Sequence, residues 1–122
     1  GGGSGIDSVS TSVQVSNKTV IQGLDLVCLD ALTANKFGVD PRVNNDGRTW
    51  LEFVVPHDRD RVTRIFEHYL NLKEGNFEFS ATVQAGDSNE REARFSFQQQ
   101  LPPHDRQYQL TAMFYDDRLA LL

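Results

Sequence analysis

The feature that most constrains this chain is a change of hydrophobic period near residue 76. From there onward Phe77, Phe79, Ala81 and Val83 alternate with Glu78, Ser80, Thr82 and Gln84. Ala93, Phe95 and Phe97 repeat the alternation against Arg94, Ser96 and Gln98, and Tyr108, Leu110, Ala112 and Phe114 share one face of a third run. A period of two puts one side of a strand in a core and the other in water. With Gly86-Asp87-Ser88-Asn89 and Pro102-Pro103-His104-Asp105 as the turns, the last third predicts three antiparallel strands. Just upstream the period is helical. Val62, Ile65, Phe66, Tyr69 and Leu70 recur at i, i+3, i+4, i+7 and i+8, while Asp58, Arg59, Arg61, Arg64 and Glu67 take the wet side. Pro56 suits the first turn of that helix, which ends before Lys73-Glu74-Gly75-Asn76.

The first half is patterned less strongly. Val13 and Val15 on one side of Asn17-Lys18, and Val20 and Ile21 on the other, predict a hairpin of two short strands. Leu24, Val27, Cys28, Ala31 and Leu32 have helical spacing and predict a short amphipathic helix. It should stop between Asn35 and Gly38, because Gly38 can take the left-handed conformation and Pro41 cannot extend a helix. Val39 to Thr49 reads as an irregular connection with room for one helical turn, followed by an apolar patch of Trp50, Leu51, Phe53, Val54 and Val55. Gly1 to Gly5 reads as a linker or leader, and the tail from Asp116, with Leu119, Leu121 and Leu122, as the start of a further helix.

At 122 residues the chain is one domain's worth. Its net charge of −5 lacks the basic excess of a nucleic-acid binder, and no apolar run approaches the roughly 18 residues that would cross a bilayer. A single cysteine, Cys28, cannot form an internal disulfide, which points to a reducing, cytoplasmic compartment. On the expected helical stripe Cys28 serves as a small hydrophobe. His57, His68 and His104 are spread over a helix start, a helix end and a turn, so no metal site is expected. Asp58-Arg59-Asp60-Arg61 reads as a solvated charge cluster, and there is no phosphate loop, zinc-protease helix or nucleophile elbow. Catalysis is therefore not expected. Cys28, Phe53, Phe66, Phe79, Phe95, Phe97 and Phe114 are the candidates to line a cavity between sheet and helices. With only Ala31, Ala81, Ala93 and Ala112 to leave room, a filled or small cavity is expected.

Two stretches carry a resemblance to a known family. Lys36-Phe37-Gly38-Val39-Asp40-Pro41 resembles the leucine-glycine-tyrosine-x-proline stretch that follows the first helix of PAS domains. Trp50-Leu51-Glu52-Phe53-Val54-Val55-Pro56-His57-Asp58-Arg59 resembles their W-x-x-x-x-H-P-D-D-R segment, with Val55 where the family often has His and His57 where it has Asp. The resemblance covers about Ser12 to Asp117, and Phe114-Tyr115-Asp116-Asp117 falls where many PAS domains lead into a signalling helix. It implies an α+β fold, a five-stranded antiparallel sheet with helices on one face, over residues 11–117, between a leader (1–10) and the start of an outgoing helix or linker (118–122). It further implies a sensory or regulatory module of a larger bacterial signalling protein, such as a histidine kinase or cyclic-dinucleotide enzyme. Such a module forms a homodimer and relays a signal to an output domain after Leu122. No cysteine lies where flavin-binding PAS domains carry theirs, and neither His57 nor His68 falls at the haem-ligand position, so neither cofactor is expected, although a small-molecule ligand is compatible. Two other classes compete. One is a dimerisation scaffold that senses nothing, with Trp50 and the exposed sheet face as contacts. The other is a small α+β enzyme with a cone-shaped cavity, for which Asp25 or Asp30 would be the group to look for.

Overall fold

The computed structural model describes residues 17–41, 47–100 and 106–115. The expected strand at Val13 and Val15, the turn with His104, the glycine-rich leader and the tail with Leu119, Leu121 and Leu122 lie outside the described residues.

Three long strands form as the alternation predicts. They are β3 (Asn76–Gln84), β4 (Glu90–Gln99) and β5 (Gln107–Phe114). In antiparallel pairing, opposite residues share a face, and the register sets Phe77 opposite Phe97, Phe79 opposite Phe95 and Ala81 opposite Ala93. Across the next seam Phe97 faces Leu110, Phe95 faces Ala112 and Ala93 faces Phe114. One sheet face is thus apolar from end to end. Two short strands, β1 (Thr19–Gln22) and β2 (Asp25–Cys28), extend the sheet beyond β5 and give the order β2-β1-β5-β4-β3.

The helices lie on the apolar face. The first, α1 (Ala31–Phe37), starts at Asp30, whose carboxylate accepts from the Thr33 amide at 2.7 Å, and stops at Gly38 with φ 71°. A Cβ at Gly38 would stand 2.9 Å from the Gly86 Cα, so the end of α1 closes directly on the β3–β4 turn. The second, α2 (Arg59–Asn71), follows a 3-10 turn opened by Pro56 and buries Val62 and Phe66. Both the Pro56 start and the Gly38 stop match the sequence reading.

The start of the sheet does not. Leu24 to Cys28 is not helical. The chain reverses at Gly23-Leu24, with Gly23 at φ 59°, and Asp25–Cys28 runs back as an edge strand. A hairpin thus turns at Gly23-Leu24, where a helix was expected, while the first strand of the hairpin expected about Asn17-Lys18 lies outside the described residues. The helical spacing of Leu24, Val27, Cys28, Ala31 and Leu32 is coincidental. The buried side chains are instead Leu26 and Leu29, while Val27 is 49% and Leu32 78% exposed. The signal was Gly23, since glycine at the first central position marks a two-residue hairpin turn. A second signal was Asp30, a helix-capping residue three positions before Thr33.

Residues 48–61 tie the fold together. At their start the Arg48 carbonyl accepts from the Leu26 amide at 2.8 Å and Thr49 Oγ1 donates to the Leu24 carbonyl at 2.6 Å, which covers the open side of β2. At their end the Val55 amide donates to the Thr82 carbonyl at 3.0 Å, and Asp58 accepts from the Thr82 amide at 3.0 Å, which covers part of β3. In between, Trp50, Phe53, Val54 and Val55 are buried. One strap thus spans the apolar face from one sheet edge to the other. It protects backbone groups that would otherwise template pairing with another chain.

Candidate functional site

The residues that could meet a ligand between sheet and helices fall into two aromatic groups. The larger is centred on Trp50, which is fully buried and has Phe66, Phe97 and Phe95 at centroid distances of 5.1, 5.4 and 5.9 Å. Phe77 stacks on Phe97 at 4.9 Å and on Tyr69 at 4.7 Å, and Tyr108 meets Phe77 edge-on at 5.3 Å. Phe79 lies at the outer end of this group, stacked on Phe97 at 5.3 Å. The smaller group joins α1 to the strap and to β5: Phe37 stacks on Phe53 at 4.3 Å and meets Phe114 edge-on at 5.9 Å.

Of the candidates from sequence, Phe66, Phe79, Phe95 and Phe97 come together in the first group and Phe53 and Phe114 in the second. Cys28 joins neither. It stands half-buried on edge strand β2, with its Sγ 3.5 Å from the Lys18 carbonyl oxygen, because the segment that carries it is a strand and not a core-facing helix. Phe37, Trp50, Phe77 and Tyr108 belong to these groups and were not among the candidates. Phe77 and Tyr108 lie on the same alternating faces as the phenylalanines that were chosen, so the period of two already held them. Trp50 could not be assigned a side from its local pattern. Being fully buried, it cannot carry a scaffold contact at the surface.

The polar groups are spoken for structurally. The Trp50 indole N–H donates to the Gly23 carbonyl at 2.9 Å, tying the strap to the β1–β2 turn. Asp30 accepts from the Thr19 hydroxyl at 2.8 Å and the Thr33 hydroxyl at 3.0 Å, so the carboxylate singled out for an enzymatic reading is a helix cap, and Asp25 is exposed. Asp58, expected on the wet side, is instead nearly buried. Its carboxylate takes Arg61 Nε at 2.7 Å and Nη2 at 2.8 Å in a fork, besides the Thr82 amide. The Arg61 hydrogen bonds hold its carboxyl below the usual range against the opposing cost of burial. His57 and His68 are exposed at the two ends of the α2 region. Among the described residues no three His, Cys, Asp or Glu side chains gather where a metal could sit, and no helix is long and apolar enough to cross a membrane.

The sheet's other face is polar. Arg94 donates to Glu78 and, at 3.1 Å, to the Tyr115 hydroxyl, with its guanidinium carbon 5.6 Å from the Tyr115 ring centroid. This ties β4 to β3 and to the residue that follows β5.

No protein-family model and no curated protein matches the chain. Among solved structures it is similar to the PAS domain of the Cronobacter turicensis RpfR quorum-sensing receptor in complex with C12:0. The TM-score is 0.60 at 12% identity, over 84% of this chain and 97% of that domain. The fold is PAS-like.

Proposed function

We propose that this chain is a PAS-like sensory or regulatory module of a larger bacterial signal-transduction protein. In this reading residues 11–117 form the domain, which acts in the cytoplasm as a homodimer and passes a signal through a helix beginning near 118 to an output domain after Leu122. The observation that carries the reading is the similarity over nearly the whole domain to a receptor's PAS domain. The module performs no reaction of its own. It binds an effector better in one arrangement of sheet and helices than in another, and the population shift biases the outgoing chain. The link from Arg94 to Tyr115 lies where such a bias would leave the sheet.

The neighbour's ligand suggests an apolar effector for this chain too. Phe37, Phe53 and Phe114 are the side chains to yield to it, since they join α1, the strap and β5 at the end of the core away from Phe77 and Tyr108. The test is native mass spectrometry of freshly purified protein with an absorption spectrum, followed by thermal unfolding with and without C12:0. The expected outcome is a dimer whose stability rises by about 2.7 kcal/mol at a hundredfold excess of ligand over Kd. A stability that C12:0 leaves unchanged, in protein that carries no adduct, would remove the sensory reading. The second reading is a dimerisation scaffold without a ligand, favoured by the mutual contact of the aromatic rings. A clean apo dimer would support it.

A further inference from the structure

The two edges of the sheet are covered unequally, and the difference locates an interaction surface. Backbone groups along β3 point alternately toward β4 and away from it. Gly75 accepts from the Gln99 amide at 2.7 Å, so the odd-numbered residues of this stretch face β4 and the even-numbered ones face outward. Thr82 confirms the parity, because its amide and carbonyl are taken by Asp58 and Val55. The Ser80 carbonyl is taken as well, by Arg61 Nη2 at 3.0 Å. Beyond it the strap has turned into α2, and among the described residues the Ser80 amide and both backbone groups of Glu78 and Asn76 are left on the outside.

Two further features sit against this open stretch. On the polar face a depression of about 400 Å³ is lined by Asn76, Glu78, Ser96, Gln98 and Thr111 together with Phe77 and Phe97. Glu78 is the one charged residue in that lining, and its carboxylate is already paired with Arg94. On the apolar face Phe79 and Tyr69, stacked at 6.4 Å, are only half-buried. A strand laid along Asn76–Ser80 would thus meet apolar rings on one side and a polar hollow on the other.

We propose that the open edge of β3 takes an extended segment of a partner protein as a sixth strand, with apolar residues over Phe79 and Tyr69 and polar residues on the side of the Glu78–Arg94 pair. Main-chain hydrogen bonds supply affinity in this mode, and alternate side chains supply selectivity. A second copy of this chain fits less well. The open stretch Asn76–Ser80 alone falls well below the roughly 800 Å² per partner of a stable dimer. The surface is independent of whether the core holds an effector.

The test is a titration of the isotopically labelled full chain with the peptide acetyl-Thr-Val-Lys-Val-Thr-amide, followed by NMR. The expected result is saturable shifts and slowed hydrogen exchange at the Asn76, Glu78 and Ser80 amides, with Thr82 unmoved. Methylating the backbone nitrogen of the peptide's lysine should weaken binding about tenfold or more, since it removes a ladder donor. Amides that do not respond at millimolar peptide, or that respond equally to the methylated peptide, would overturn the proposal. So would protection of the same amides that grows with protein concentration alone, because the occupant would then be a second copy.

Discussion

The two halves of the sheet are built on different terms. In the β3–β5 half, strands of eight to ten residues turn a row of apolar side chains inward, most of them large, and neighbouring rings fix the register. In the β1–β2 half, strands of four residues pair through an irregular register at Val20 and Ile21. That half is held by single polar contacts: Trp50 Nε1 to Gly23, Thr49 to Leu24, and Asp30 to Thr19 and Thr33. The same chain thus specifies one half by repetition and the other by individual side chains. Substitutions should hurt in proportion to which kind of support they remove.

The largest effect is expected at Trp50, where the two kinds meet. Trp50→Ala should lower stability in urea unfolding by about 3–5 kcal/mol, because it empties the centre of the aromatic group. Trp50→Phe sharpens the comparison. It keeps most of the ring and leaves the Gly23 carbonyl without its donor, which should cost about 1–3 kcal/mol. If Phe were as damaging as Ala, the indole hydrogen bond and not ring packing would dominate, and the two halves would not differ as argued.

Asp58 closes the strap onto β3 and comes next. Asp58→Asn should cost about 1.5–3 kcal/mol at neutral pH, the range for hydrogen bonds to a charged group. The carboxyl is held low in the folded state by Arg61 first, then by the Thr82 amide. Its contribution is therefore present above the unfolded-state pKa and is lost as pH falls through the folded one. The gap between wild type and Asp58→Asn, measured across pH, should narrow below about pH 4. A gap that stayed constant would mean that the fork to Arg61 contributes nothing through its charge.

How far the sequence could be read follows the same division. The period of two from Phe77 to Phe114 survives any plausible packing, since shifting a strand by one residue would bury Glu78, Arg94 and Gln98. The three strands, their apolar face and most of the aromatic candidates were therefore legible. So were Gly38 and Pro56, whose backbone preferences are local. The hairpin was not, because four-residue strands are too short to show a period, and Leu24, Val27, Cys28 and Leu32 fit a helix by spacing alone. What decided it was the tertiary cover that Arg48 and Thr49 give to β2, from more than twenty residues away. Asp58 was misplaced for a related reason: its partner, the Thr82 amide, belongs to a strand not yet formed in any local window.

Asp30 tests the polar support of the weaker half directly. Asp30→Ala removes the acceptor for the Thr33 amide and for the Thr19 hydroxyl, and Thr19 is fully buried. The loss should be about 1–2 kcal/mol, the upper part of the range for a helix cap. Asp30→Ser, which can still accept from the Thr33 amide, should recover part of it. Equal losses would place the effect at Thr19 and not at the helix start.

The smallest effect is the one that separates the two readings of residues 24–35. Were they a single helix, Leu32 would lie on its buried stripe together with Leu24 and Cys28, and Leu32→Gln would strip a core contact and bury an amide, at a cost of about 2–5 kcal/mol. In the observed fold α1 begins at Ala31 and turns Thr33, Ala34 and Phe37 inward, so Leu32 faces out at 78% exposure. Leu32→Gln should then change stability by no more than about 0.5 kcal/mol, as surface substitutions do. Leu26→Ala in the same background supplies the contrast. Leu26 is 4% exposed opposite Ile21, and on a helix in phase with Leu24 and Cys28 it would fall off the stripe. A tolerated Leu32→Gln beside a costly Leu26→Ala therefore fits only a strand at Asp25–Cys28. The reverse pattern would restore the helix and break the contrast between the halves at its weakest point.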